Sequence, residues 1–168
     1  APRRTTDAIH LHHTRVPGRE QFQGVSSIVG MWKHHTTKER WSDIAQQLTI
    51  DPHGSIWTGR HWDFPPASAR GHNGSARSGP LMIAMVGNFD RGADELVDPQ
   101  RKAVLTVLAL ALDRFDLPTS AIRLPDTSRV TVPCALLSTP ATSSPNRNDT
   151  DRSRRWNFSD SATSRSHI

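Results

Sequence analysis

Apolar and polar positions change period several times along the chain, and each change marks an element. Ala8-Ile9-His10-Leu11-His12 reads as a short strand, entered from the polar Thr5-Thr6-Asp7. From Gln21 to about Thr36, Phe22, Val25, Ile28, Val29 and Trp32 recur at helical spacing. Gln46 to Asp51 and Ser55 to Thr58 read as two short strands, joined by the turn signal Asp51-Pro52-His53-Gly54. Asp63 to Ser78, rich in Gly, Pro, Ser and Ala, reads as a long surface loop. Leu81 to Gly87 is nearly continuously apolar, as a central strand covered on both faces would be. Asp98 and Pro99 suit the N-cap and first turn of a helix. Val104, Leu105, Leu108, Leu112 and Phe115 supply its apolar stripe, and Leu117-Pro118 ends it. A last short strand follows at Ala121 to Leu124. Strands interleaved with two long helices predict an α/β (α+β) layer fold with a central mixed sheet flanked by helices.

Past residue 125 both the periodicity and the turn chemistry fade. Ala135 to Ile168 hold 12 Ser/Thr and few large apolar residues, too few to offset the entropy of ordering them. The expected organisation is therefore one domain over residues 1–134 and a disordered, low-complexity tail over 135–168. Such a tail accounts for a hydrophobic fraction of only 35% in 168 residues. No apolar run reaches the ~18 residues of a membrane span. Ala1-Pro2-Arg3-Arg4 lacks a signal core and reads as a processed or truncated end. The single Cys134 excludes an internal disulfide framework and a four-Cys zinc site. The net charge of +5 is spread without a Lys/Arg block, so no specific nucleic-acid partner is expected.

Nine histidines are many for this length, and they cluster. His10, His12 and His13 end the first strand, where His10 and His12 share one face and His13 takes the other. His34-His35 lie near the end of the first helix, and His61 and His72 bracket the long loop. A neutral imidazole at a strand end open to a cleft is a natural zinc ligand, although each of these also fits a surface histidine. Trp32, Trp41, Trp57, Trp62 and Trp156 fit either a sugar-binding groove or the edge of a core. There is no Gly-x-Ser-x-Gly elbow and no phosphate-binding glycine loop.

Several segments, taken in order, carry a resemblance. Thr6 to Thr14 (Thr-Asp-Ala-Ile-His-Leu-His-His-Thr), Trp41-Ser42-Asp43-Ile44 and Ile50 to Arg60 are similar to the zinc-dependent N-acetylmuramoyl-L-alanine amidases. That family includes the amidase-type phage lysozymes and the peptidoglycan-recognition proteins. Gly71-His72-Asn73, Met82 to Asp90 and the helix from Gln100 to Leu117 extend the match to about Leu124. The resemblance implies a mixed sheet with a substrate groove at one end of the strands. It also implies one zinc ion, peptidoglycan as substrate, and a bacterial or phage protein acting at the cell wall, in the periplasm or outside the cell. A monomer is expected.

Carried over by position, His12 matches the first zinc ligand, and His35, Trp41, His72 and Asn73 fall in the substrate groove. The other two ligands of the family, a His and a Cys in a Cys-Pro-Gly turn, are absent as such: Pro125 or Leu124 stands at the His position, and the later order is Val132-Pro133-Cys134-Ala135. Asp126 and Cys134 keep the family's eight-residue spacing, so His12, Asp126 and Cys134 form a chemically possible zinc set. The family's catalytic Tyr position holds Gln46, whose amide can orient water or an oxyanion but cannot act as a general base. The expected function is hydrolysis of the amide between N-acetylmuramic acid and L-alanine. The alternatives are an inactive peptidoglycan-binding module, or a truncated or out-of-frame product of an amidase gene.

Overall fold

The computed structural model describes residues 4–68, 73–90 and 92–124. Five strands and two helices follow one another as β1 (Thr5–His13), α1 (Val25–Thr37), β2 (Leu48–Ile50), β3 (Ile56–Thr58), β4 (Ser78–Met85), α2 (Asp98–Phe115) and β5 (Ile122–Arg123), with a 3-10 turn at Thr119–Ala121 before β5. They form one sheet in the order β3-β2-β4-β1-β5. β4 runs parallel to β1 and β2, β1 runs parallel to β5, and only β2–β3 is antiparallel. This is the expected mixed sheet, with the apolar run of β4 at its centre. Among the described residues, no helix is long and apolar enough to cross a membrane. The expected tail over 135–168 lies outside them, as do Asp126 and Cys134.

Period-two alternation on β1 and β4 divides the sheet into two chemically different faces. Ile9 and Leu11 pair with Leu81 and Ile83, and with Met85 they pack against Val104, Val107, Leu108 and Ala111 of α2. That face is the core. His10 and His12 pair with Met82 and Ala84, and these four residues look the other way.

Buried polar groups fix the strand ends to the rest. The Gln100 amide of α2 donates to the carbonyls of Ile50 (3.0 Å) and Val86 (2.8 Å), tying the ends of β2 and β4 to the helix. Asp51 holds the β2–β3 turn: Oδ1 accepts from the His53 and Ser55 N–H groups, and Oδ2 from the Trp57 indole N–H at 2.9 Å. Gly54 in that turn has φ +84°, and a Cβ there would lie 2.7 Å from the Pro99 carbonyl oxygen, so no larger residue fits.

Three sequence expectations need correction. α1 starts at Val25 rather than Gln21, so Phe22 lies outside the helix and meets the Trp57 ring edge-on, with centroids 6.5 Å apart. α2 begins one residue early: Val97 is the cap in extended conformation and Asp98 is already helical, making no side-chain cap. Its carboxylate instead favours the helix dipole from within the first turn and meets Arg101 at 3.3 Å. The predicted loop over 63–78 also yields its last residue to β4, because the first half of β1 extends the pairing back to Thr5↔Ser78.

Candidate active-site groove

The face of the sheet turned away from α2 forms the floor of a groove of about 990 Å³. β1 contributes His10 and His12, and β4 contributes Met82 and Ala84. α1 forms one wall through Ser27, Gly30, Met31, His34 and His35. The segment after α1 adds Trp41, Ala45 and Gln46, and the loop before β4 adds Ser68 and Asn73. Five of the residues expected from the sequence therefore line a single groove: His12, His35, Trp41, Gln46 and Asn73. His72, Asp126 and Cys134 lie outside the described residues.

His12 has the least ordinary environment. Its ring is partly buried on the groove floor, and the His10 backbone offers it a hydrogen bond that favours the protonated form. Burial, followed by the neighbouring His10 and His13, pushes its pKa down to about 4, so the ring is neutral at physiological pH. The His10 ring stands edge-on to it, 6.0 Å away at 61°. A neutral imidazole on the floor of an open groove fits a metal ligand. Among the described residues, no group of three His, Cys, Asp or Glu side chains is placed to hold a metal ion.

His13, next in sequence, is committed elsewhere. Its Nδ1 accepts the Phe89 N–H at 2.8 Å, and the ring stacks on Phe89 with centroids 6.1 Å apart. Burial holds its pKa below the usual value against the opposing pull of Asp90.

The remaining expected residues are each fixed by a local contact. His35 Nδ1 accepts the Ala45 N–H at 3.2 Å, which places its proton on Nε2. Its ring packs 4.9 Å from the Trp41 indole, and the Trp41 N–H donates to the His35 carbonyl. Burial and the adjacent His34 lower the His35 pKa. Asn73 donates to the Ser68 carbonyl and hydroxyl, both at 3.2 Å, while its buried Oδ1 has no partner. Gln46 is buried and donates its amide N–H to Thr49 Oγ1 at 2.9 Å.

Sequence reasoning missed the groove roles of Ser68, Ala45 and Arg15. Strand alternation pointed to His10 only as a companion of His12. Arg15 sits at the groove mouth, with Nε 3.4 Å from Asp90, at a backbone φ of 62° that no sequence pattern indicated. Among the described residues lining the groove there is no carboxylate.

No protein-family profile matches the chain, and no curated protein matches it. Solved structures do. Peptidoglycan recognition protein LB of Drosophila superposes with a TM-score of 0.58 at 19% identity, over 73% of this chain and 71% of that one. Peptidoglycan recognition protein SA of Apis mellifera gives 0.56 at 19% identity, over 74% and 77%. The ectodomain complex of peptidoglycan recognition proteins LCa and LCx, solved with tracheal cytotoxin bound, gives 0.56 at 21% identity, over 73% and 72%. With its five-stranded mixed sheet and groove, the chain has the fold of the peptidoglycan recognition proteins, the amidase-type fold its motifs resemble.

Proposed function

We propose that the groove receives a peptidoglycan stem peptide, and that the chain hydrolyses the amide joining N-acetylmuramic acid to L-alanine. The observation that carries this reading is His12: a neutral imidazole on the floor of the groove that His35, Trp41, Gln46 and Asn73 also line. Tracheal cytotoxin bound to ectodomains of the same fold supports a muropeptide as ligand.

His12 would hold one zinc ion, with Asp126 and Cys134 proposed as the further ligands. Bound there, the metal would polarise the scissile carbonyl and lower the pKa of its water. The other groove residues bind and orient. The Trp41 indole, held against His35, offers an apolar wall for the lactyl and alanyl methyl groups. His35 Nε2–H is a neutral donor suited to a carbonyl oxygen that gains negative charge. Asn73, fixed against Ser68, shapes the groove wall on the side of the loop before β4. Gln46 positions Thr49 rather than moving a proton.

One observation favours a second reading, recognition without hydrolysis. Among the described lining residues no carboxylate is present to act as general base, and the Gln46 amide is already engaged.

Zinc content, muropeptide binding and release of a free L-alanine amino terminus separate the two. The first reading expects about one zinc per chain, and hydrolysis that His12→Ala abolishes together with the metal. Binding of muropeptide by a wild type that holds no zinc and cleaves nothing, even with zinc added, establishes the second. Failure to bind muropeptide overturns both.

A further inference from the structure

α1 separates two surfaces. Ser27, Gly30 and Met31 face the groove, while Ile28, Val29 and Trp32 line a second depression of about 230 Å³. Asp43, Ile44, Thr58 and Gly59 close it from the side of β3. The apolar stripe of α1 does not enter the core: Trp32 is 46% exposed, and Met31 is the helix's only buried residue.

The depression is of mixed character. The indole and the Ile44 side chain are apolar, but the opposite wall carries a carboxylate held in place. Asp43 Oδ1 accepts the Ile44 N–H at 2.8 Å, and Oδ2 lies 3.4 Å from the Arg60 guanidinium. Each oxygen keeps a further lone pair, and the side chain remains about one-third exposed at 34%. At Gly59 a Cβ would lie 2.5 Å from the Gln46 carbonyl oxygen, so the chain there stays bare and the depression open.

We propose that this depression is a saccharide subsite that takes one pyranose ring of a glycan strand. The C–H face of the ring lies on the Trp32 indole, and its hydroxyls donate to Asp43. Size favours a single ring, because the volume falls below the ~300–1,000 Å³ typical of drug-sized ligands. Chemistry favours a sugar over an apolar protein surface. An apolar protein surface packed on Trp32 would strip water from the Asp43 carboxylate and leave its remaining lone pairs without a donor, whereas a sugar supplies both an apolar face and hydroxyl donors. Position favours a polymer. α1 is about 10 Å thick, and at Gly30 nothing stands within 4 Å of where a Cβ would be. A strand whose stem peptide enters the groove can therefore pass over the helix and reach Trp32. The inference rests on the cell-wall reading of the groove, but concerns the glycan rather than the peptide.

The test uses two soluble probes on the full chain: peptidoglycan glycan strands stripped of their stem peptides, and a muropeptide. Wild type should bind the peptide-free strands. Trp32→Ala should weaken that binding roughly tenfold, the scale of one lost aromatic stacking contact. Trp32→Phe should recover part of it, and Asp43→Asn should weaken it as well. Muropeptide affinity and melting temperature should stay unchanged in Trp32→Ala. Equal glycan binding by wild type and Trp32→Ala overturns the subsite. Wild type that binds muropeptide but not peptide-free strands also overturns it, and leaves the groove reading standing. Self-association of the wild type that Trp32→Ala abolishes, with glycan binding unaltered, overturns it in favour of a protein interface.

Discussion

His12 and His13 are adjacent imidazoles whose fates are opposite, and the difference is one step of strand alternation. His13 turns to Phe89 and accepts its N–H, whereas His12 lies on the groove floor beside His10 and is held neutral there by burial. Holding His12 neutral has a consequence for stability. Its folded pKa of about 4 lies below the 6.5 of an unperturbed histidine. A depressed folded value means that the stabilisation is fully present above pH 6.5 and is lost as pH falls through 4. The difference corresponds to roughly 3 kcal/mol at most. Urea unfolding of metal-free protein at pH 7 and pH 4 should therefore show a larger loss in wild type than in His12→Gln. Equal losses in the two proteins would mean that His12 is not held neutral by the fold.

At the scale of elements, the two helices do different jobs although both read as amphipathic. α2 lays its stripe on the sheet and sends Gln100 into the core to hold two strand ends. α1 buries only Met31 and serves as a wall with a surface on each side. Gln100→Leu should consequently destabilise the protein by about 1–3 kcal/mol, because the Val86 carbonyl loses its donor inside the core. The Ile50 carbonyl retains the Val86 N–H at 2.9 Å. Denaturant titration measures the difference, and a neutral result would show that the amide is dispensable to the ends of β2 and β4.

Across the whole molecule the sheet acts as a partition, with packing on one face and chemistry on the other. Leu11 and His12 are neighbours in β1, yet one belongs to the core and the other to the groove floor. Stability and binding should therefore separate. Leu11→Ala should cost about 2–5 kcal/mol by opening a cavity under α2. The fraction that remains folded should bind muropeptide with wild-type affinity. Trp41→Ala should weaken muropeptide binding roughly tenfold. Its melting temperature should change little, since the indole packs on His35 at the rim rather than in the core. Calorimetric melting beside titration of the ligand reads both quantities on the same samples.

What the sequence by itself determined is local or periodic. Alternation in residues 8–12 placed His10 and His12 on one face, the turn residues at 51–54 closed the β2–β3 hairpin, and the apolar run at 81–87 marked the central strand. The ordered motifs also picked out His12, His35, Trp41, Gln46 and Asn73, which the fold brings to one groove. Tertiary structure alone decided how those faces are used. It left the apolar stripe of α1 facing water, committed the Gln46 amide to Thr49, and left Asn73 Oδ1 buried without a partner. The physical reason is that periodicity specifies which side chains share a face, while the partner of that face is supplied by residues tens of positions away. Hydrogen-bond satisfaction depends on those partners, so which polar atoms end up buried and paired could not be read from the sequence.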